Sequence, residues 1–504
     1  MKQFVFALFA FMSFAAQAQQ NVFLDPSFWK NNPDLAMVKA EIEKGSDPAA
    51  SNRMSFDAVV YAINAQANTA VIKFLLDQKG NDVNKLTHDG RTYLFWAANR
   101  GNLEIVEYLV SKGAKQNIED THGMTPISFA ANGGQANTKV YDALIKAGAD
   151  VKQKSPEGGS LLLLAIASDK DLTLTNYFIS KGLSLKDVDA AGNTAFNYVA
   201  RTGNIELMKT LLEKGVKYND NAMIMATQGA RGTANPIEVY QYLESLHIKA
   251  TSVNSNGENV LHALARKPNQ GTIIQYFLSR GANVNQPDNE GNTPFMNAAS
   301  GNRDTATAAL FLLQAKNINQ VNKKGIAALA MAVRSNSPEV VQFLINKGAD
   351  VNGYDGEGNN LAYYLIQSYN AQAAGRPAEA QGRAGGQKAD GFETKMKILQ
   401  AAGLNLSAPQ KDGNTLYHLA VAKNDISLLK KIETLQVEVN AKNKEGLTPL
   451  QKAAMVAKDD SLLKYFLSIG AKKELTTEFK ETAYDLAKEN EFLTKNKVAV
   501  DFLK

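Results

Sequence analysis

The chain has 504 residues, 44% apolar and 21% charged, a mixture that lets an ordinary soluble protein bury a large core and excludes disorder of the chain as a whole. Its 55 basic and 50 acidic residues are interspersed and leave a net charge of only +5, so nothing resembles the basic stripe of a nucleic-acid-binding protein. The absence of cysteine excludes disulfides, thiolate metal sites, thiol nucleophiles and lipid-modified Cys, and leaves stability to packing.

The chain opens MKQFVFALFAFMSFAAQAQQ, with one Lys before an apolar run from Phe4 to Ala16 and then Ala16-Gln17-Ala18 in small-x-small form. This is the pattern of a secretory signal peptide, residues 1–18, with cleavage expected after Ala18. The run is too short to span a bilayer, and the longest later one is LLLLAIA from Leu161 to Ala167. The mature chain, 19–504, is therefore expected to be periplasmic or secreted, without stable membrane insertion.

From there one pattern is rewritten along the chain, as in DGRTYLFWAANRGNLEIVEYLVSKGA from Asp89, HGMTPISFAANGGQANTKVYDALIKAGADV from His122 and EGNTPFMNAASGNRDTATAALFLLQAKNIN from Glu290. A closing glycine marks the register at Gly45, Gly80, Gly113, Gly148, Gly182, Gly215, Gly281, Gly348, Gly403 and Gly470, with Leu246, Ala315 and Gln436 standing in its place elsewhere. The steps run from 31 to 35 residues, apart from one of 55 between Gly348 and Gly403. Thr92, Thr125, Thr194, Thr293, Thr415 and Thr448 stand where a side-chain oxygen can cap a helix, and Pro126, Pro294 and Pro449 follow at the first helical position. Paired alanines such as Ala97-Ala98 and Ala130-Ala131 favour helix and let two helices approach closely. Leu103, Val106, Leu109 and Val110 then form the apolar face of a second helix, which Gly113 ends in the left-handed region. At the turn glycine Gly158, a neighbouring Gly159 is expected to absorb a substitution.

A period near 33 carrying G-x-T-P-L-x-x-A-A and G-A-D-V-N resembles the ankyrin repeat, and the resemblance covers essentially the whole mature chain. It implies an all-α repeat solenoid of about thirteen helix-turn-helix units with turn or β-hairpin tips, one array with caps near Trp29 and in the Lys-rich end from Glu481. Residues 216–250 depart most, lacking both the turn glycine and the closing glycine.

Catalytic motifs are missing from the sequence: there is no H-E-x-x-H, G-x-S-x-G or G-x-x-x-x-G-K, and no cofactor or metal is expected. His262 and His418 occupy the ankyrin position that, by resemblance, bonds between neighbouring repeats. His88 and His122 fall on consecutive turns and could meet there, but two His without a third ligand make a poor metal site. Asp350, Asn352, Asp355, Glu357 and Asn359 lack calcium-loop spacing. Trp96, Phe129, Leu164 and Tyr198 recur at one repeat position and are expected in the core.

Ankyrin arrays bind through turn tips and exposed first-helix residues, and the matching positions here are Arg91, Asn99, Arg100, Arg201, Glu258, Arg266, Lys267, Lys323, Lys324, Arg334, Lys411, Lys423 and Lys444. The set leans basic, which suits either an acidic partner or a solvated face. With the signal peptide, the resemblance leads to the expectation of an exported, non-enzymatic, monomeric protein that binds another protein along its concave surface. An inhibitor or immunity protein against a toxin of the same compartment fits the sequence equally. An enzyme would have to build its site within 216–250 or the insert described next.

That insert is AQAAGRPAEAQGRAGGQKADG, residues 371–391, with five glycines, seven alanines and no large apolar side chain. It falls between the two helices of one repeat and accounts for the long step, and its composition predicts a flexible loop. Brief trypsin treatment is expected to cut first at Arg376, Arg383 or Lys388 and leave the two parts associated on gel filtration. A first cut elsewhere, or parts that separate without denaturant, contradicts the placement.

Overall fold

A computed structural model describes residues 21–229, 233–370 and 391–504. The expected signal peptide and residues 371–390 of the expected insert lie outside the described residues; Gly391, its last residue, opens the helix Gly391–Ala401. The chain divides into two compact units, one ending at Met225 and the other starting at Ala226.

In the first unit short helices pair off in sequence: Ala58–Asn64 with Thr69–Leu76, Tyr93–Arg100 with Leu103–Ser111, Pro126–Asn132 with Thr138–Lys146, Leu161–Ile166 with Thr173–Ser180, and Ala195–Thr202 with Ile205–Glu213. The second unit repeats the arrangement, from Val260–Ala265 with Gly271–Ser279 to Pro449–Val456 with Ser461–Ser468. First helices pack on first helices of the next repeat, and second helices on second helices. Ala97, Ala98, Ala130 and Ala131 in one unit, and Ala299, Ala453 and Ala454 in the other, have no exposed surface, because the close approach leaves room only for a methyl group. At the amino-terminal end Trp29 is buried against Phe23 and donates its indole N–H to the Phe23 carbonyl at 2.9 Å. At the other end Leu493 and Leu503 are buried while Lys488, Lys495 and Lys497 face water.

The helix starts correct the sequence expectation. Thr293 and Thr448 accept from the amide three residues on, at 3.4 and 3.3 Å. Thr125 forms a capping box with Ser128 and also donates its hydroxyl forward to Gln153 Oε1 of the following repeat at 2.9 Å, whereas Thr194 makes no cap and donates its hydroxyl to the Lys217 carbonyl at 2.6 Å. The Thr415 hydroxyl meets His418 Nδ1 at 2.9 Å, and that of Thr92 is buried without a partner. At these starts the residue three positions on can do the capping, as Ser128 Oγ does by accepting the Thr125 amide at 2.8 Å.

Helix ends follow the glycine register closely. Gly113 has φ +87°, and the Ala114 amide returns to the Leu109 carbonyl at 3.0 Å, the hydrogen bond that closes a left-handed cap. Gln436 takes the same conformation at φ 55°. In 216–250 the helices Asn221–Gln228 and Ile237–Ser245 are both present, but the left-handed residue is His247 at φ 61°, one position after Leu246. Ala315 does not enter the left-handed region; its amide bonds to the Phe311 carbonyl at 3.0 Å.

The tips are turns, with no strand among the described residues and only isolated bridges such as Ser51 with Asp57 and Val321 with Ala327. Successive tips are tied by main-chain hydrogen bonds at most steps: Thr121 to the Asp89 carbonyl at 2.8 Å, Ala190 to Glu157 at 2.8 Å, Asn289 to Asn256 at 2.7 Å and Lys323 to Glu290 at 3.0 Å. Pro156 stands at the donor position in its tip and has no N–H to give.

The close tip spacing overturns the expectation for Gly158. Its φ is +83°, and a Cβ there would lie 2.8 Å from the Ala190 amide nitrogen, while a Cβ on Gly159 would lie 2.8 Å from the Tyr198 hydroxyl. A Cβ on Gly113 would meet nothing within 4 Å. Gly113→Ala should cost about 1–2 kcal/mol from conformation alone, and Gly158→Ala should lower the melting temperature at least as far. A larger loss for Gly113→Ala would contradict the tip packing.

Candidate interaction surface

The tips hold their shape through acidic or amide side chains that accept the turn's own amides. Asp120 Oδ1 takes those of His122 and Met124 at 2.9 Å each, and Asp288 Oδ1 those of Glu290 and Asn292 at 2.9 and 2.7 Å. Asp355 does the same for Glu357 and Asn359 and accepts the Tyr364 hydroxyl at 2.5 Å, so it is spent on its own turn. Projecting from this rigid backbone, Lys323, Lys324, Lys411 and Lys444 are exposed, with the Lys411 ammonium 4.7 Å from the centre of the Tyr354 ring.

The second set lies at the carboxyl ends of the first helices. Arg100 donates to Asn64 Oδ1 at 2.9 Å and Arg266 to Asn297 Oδ1 at 3.1 Å, and both are exposed, as are Arg201 and Arg334. Half-buried Lys267 donates to the Thr233 carbonyl at 2.9 Å and also to that of Gln228, and Lys423 reaches the Gln367 carbonyl at 3.3 Å. Asn99 is half-buried and donates to the Phe129 carbonyl at 3.3 Å. Glu258 lies instead in the tip ahead of Val260–Ala265, half-buried, and accepts from the Asn254 amide side chain at 3.1 Å.

Arg91 corrects the expected set. Its side chain is 11% exposed, paired with Asp120 at 2.8 Å and Asp89 at 3.1 Å, and its guanidinium lies 4.3 Å from the centre of the Phe129 ring. It joins consecutive repeats instead of projecting from them. His88 and His122 do come together, each with Nε2 near Asp89 Oδ2, at 3.5 and 3.6 Å, on the oxygen that Arg91 also holds. No group of three or more His, Cys, Asp or Glu placed to hold a metal is found among the described residues.

The repeat histidines sit as the resemblance implies. His418 Nδ1 accepts the Thr415 amide at 3.1 Å, and Nε2 donates to Leu447, in the following repeat, at 2.9 Å. His262 bridges Asn259 and Asn292 in the same way, at 3.0 and 3.2 Å. Burial lowers the pKa of both, that of His418 to about 4. Trp96 and Leu164 are buried and Phe129 and Tyr198 half-buried, so that row belongs to the core.

Sequence reasoning missed a column of asparagines between the paired helices. Asn336 Nδ2 donates back to the Ala299 and Asn302 carbonyls, both at 2.8 Å, and Asn302 and Asn490 make equivalent bonds to the repeats before them. The only sequence signal of these three is an Asn just ahead of a second or closing helix. Also missed was the buried Asp57, which accepts from Lys85 at 2.9 Å and the Tyr93 hydroxyl at 2.7 Å.

Helix pairs tied at their tips, carrying side chains along one edge that the packing does not use, define a repeat protein built to present surface. The chain belongs to the ankyrin repeat family: the family model for ankyrin repeats in three copies matches residues 59–155, 128–222, 222–310 and 261–355, together more than half of the chain. It is similar to a putative ankyrin repeat protein of Rickettsia felis, 28% identical over 283 residues, which are 55% of this chain and 70% of the relative. It is also similar to alpha-latroinsectotoxin-Lt1a of Latrodectus tredecimguttatus, 26% identical over 294 residues, 54% of this chain and 20% of the toxin. Human transient receptor potential cation channel subfamily A member 1 is 22% identical over 402 residues, 72% of this chain and 32% of the channel. The chain spans a fifth or less of the first curated relatives it matches.

The buried histidines give stability a defined pH dependence. An unfolded His418 titrates near 6.5 and the folded one near 4, so the unfolded chain binds the extra proton between those values. The histidine's contribution is complete above pH 6.5 and is lost on acidification towards 4. Relative to pH 7, the wild type should lose about 2 kcal/mol more at pH 5 than His418→Gln does, measured by urea unfolding at the two pH values. Parallel losses in the two proteins would contradict a buried neutral imidazole.

Proposed function

We propose that this chain is an exported, non-enzymatic ankyrin-repeat protein that binds a partner protein through its tips and first-helix ends. One observation carries the reading: Asp57, Asp120, Asn336 and His418 inside the array are committed to neighbouring repeats, whereas the side chains of Lys323, Lys324, Arg334, Lys411 and Lys444 are exposed on ordered backbone. Rigid presentation of mobile charged ends suits recognition of a folded or extended polypeptide, and repeat arrays generally offer such extended binding surfaces. Export rests on the first eighteen residues and their cleavage pattern.

The test uses the mature chain as bait in a periplasmic extract, followed by amine-reactive cross-linking of what is retained. A protein retained in stoichiometric amount and cross-linked at Lys323, Lys324, Lys411 or Lys444 is the expected result. Absence of any specific protein, or cross-links confined to second helices, overturns the binding reading. Intact-mass measurement should find the amino terminus at Gln19 outside the cytoplasm; a membrane-bound product retaining Met1 overturns the export reading.

A further inference from the structure

At two joints of the first unit, the residue that caps a first helix meets the side chain five positions after the closing glycine of that repeat: Asp57 meets Lys85 at 2.9 Å, and Thr125 meets Gln153 at 2.9 Å. At one joint of the second unit both partners are cut short. Ala327 stands at the cap of the helix Ala328–Ser335, and Gly353 stands five positions after Gly348. The space left there is a cavity of about 130 Å³. Leu329, Leu361 and Tyr364, all buried, form its floor, and Val321 and Tyr354, which are 49% and 43% exposed, stand at its mouth.

The Thr125 and Gln153 pair also borders a hollow, but that one is lined with Gln116, Glu119 and Asp150 and reaches no side chain of the helix core. Around the cavity of the second unit the polar groups are mostly engaged. Asp355 Oδ2 accepts the Tyr364 hydroxyl at 2.5 Å and the Asn359 side-chain amide at 3.1 Å, and Asn360 Oδ1 accepts the Ala362 amide at 2.9 Å. Asp350 differs. Its Oδ1 accepts the Asn352 amide at 2.8 Å, whereas Oδ2 has no hydrogen-bond partner among the described residues and lies 3.4 Å from where a Cβ on Gly353 would stand.

We propose that this cavity binds a phenol, one aromatic ring carrying a hydroxyl, with the ring on Leu329, Leu361 and Tyr364 and the hydroxyl donating to Asp350 Oδ2. The volume sets the ring, since an apolar cavity of about 150 Å³ holds a benzene molecule. Tyr354 and Tyr364 favour an aromatic guest over an aliphatic one, because ring pairs gain beyond the area they bury. The unpaired carboxylate oxygen sets the hydroxyl, as a donor placed there gains a hydrogen bond to a charged acceptor. A free phenol and the side chain of a tyrosine present this chemistry equally. The site stands apart from the protein-binding reading above, which concerns the charged side chains, and its failure leaves that reading in place.

The experiment follows fluorine NMR line broadening of para-fluorophenol, with fluorobenzene as comparison, on the full mature chain. Para-fluorophenol should bind with a dissociation constant on the order of 1 mM, and fluorobenzene more weakly. The double variant Ala327→Thr, Gly353→Gln rebuilds here the pair that Thr125 and Gln153 make, and should weaken para-fluorophenol at least tenfold without lowering the melting temperature. Asp350→Ser keeps an acceptor for the Asn352 amide but removes Oδ2, and should bring para-fluorophenol down to the level of fluorobenzene. Displacement of para-fluorophenol by a Gly-Gly-Tyr-Gly-Gly peptide makes a tyrosine side chain the source, and its absence makes a free phenol the source; either result supports the site. No broadening of para-fluorophenol, equal broadening in wild type and the two variants, or fluorobenzene bound as tightly as para-fluorophenol overturns the inference.

Discussion

Each helix pair can bury its apolar face only against another pair, and in both units the closest contact is between successive first helices lined with alanine. That approach sets the spacing of everything attached to it. Tips come near enough for an amide of one to reach a carbonyl of the last, and the repeat histidine can touch the incoming chain of the next repeat. Asparagines ahead of the second helices can reach back across the same gap. A larger side chain in place of Ala98 or Ala299 would strain all of these links together, because none adjusts independently of the helix spacing.

The same spacing sorts polar side chains into two populations. Asp57, Asp120, Asn336 and His418 are enclosed and hydrogen-bonded across repeats, where leaving one unpaired would be costly. Arg334, Lys323 and Lys444 stand outside on backbone that those bonds keep in place. Recognition and stability are thus assigned to different residues, so the outer set can change with little penalty to the array.

The fold was legible because its determinants are local and periodic. A closing glycine needs no distant partner to declare itself, and Gly113 and Gly348 both lie in the left-handed region. The displaced cap at His247 was not legible, since a non-glycine residue can enter that region at either of two adjacent positions and packing chooses between them. Thr194 was misread as a cap because its hydroxyl partner, the Lys217 carbonyl, belongs to another repeat, and the further bond of the Thr125 hydroxyl to Gln153 of the following repeat was not legible for the same reason. Arg91 shows the same limit at the candidate surface. Its position matches exposed residues elsewhere, and only Asp120 and Phe129 of the following repeat draw it inward. Gly158 was misjudged for a related reason, because its constraint comes from the Ala190 backbone across a tip contact.

Pro156 gives the tip edge of the first unit a mechanical character of its own. Bonds run from tip to tip on either side of it, at Thr121 and Ala190, but the step between His122 and Pro156 has no main-chain link of this kind. The edge is therefore a tape with a stitch missing at this step, while the first helices beneath it remain stacked. Under a bending load that opens the tips, strain would gather at that step, and the unit would flex there as a living hinge with its core intact.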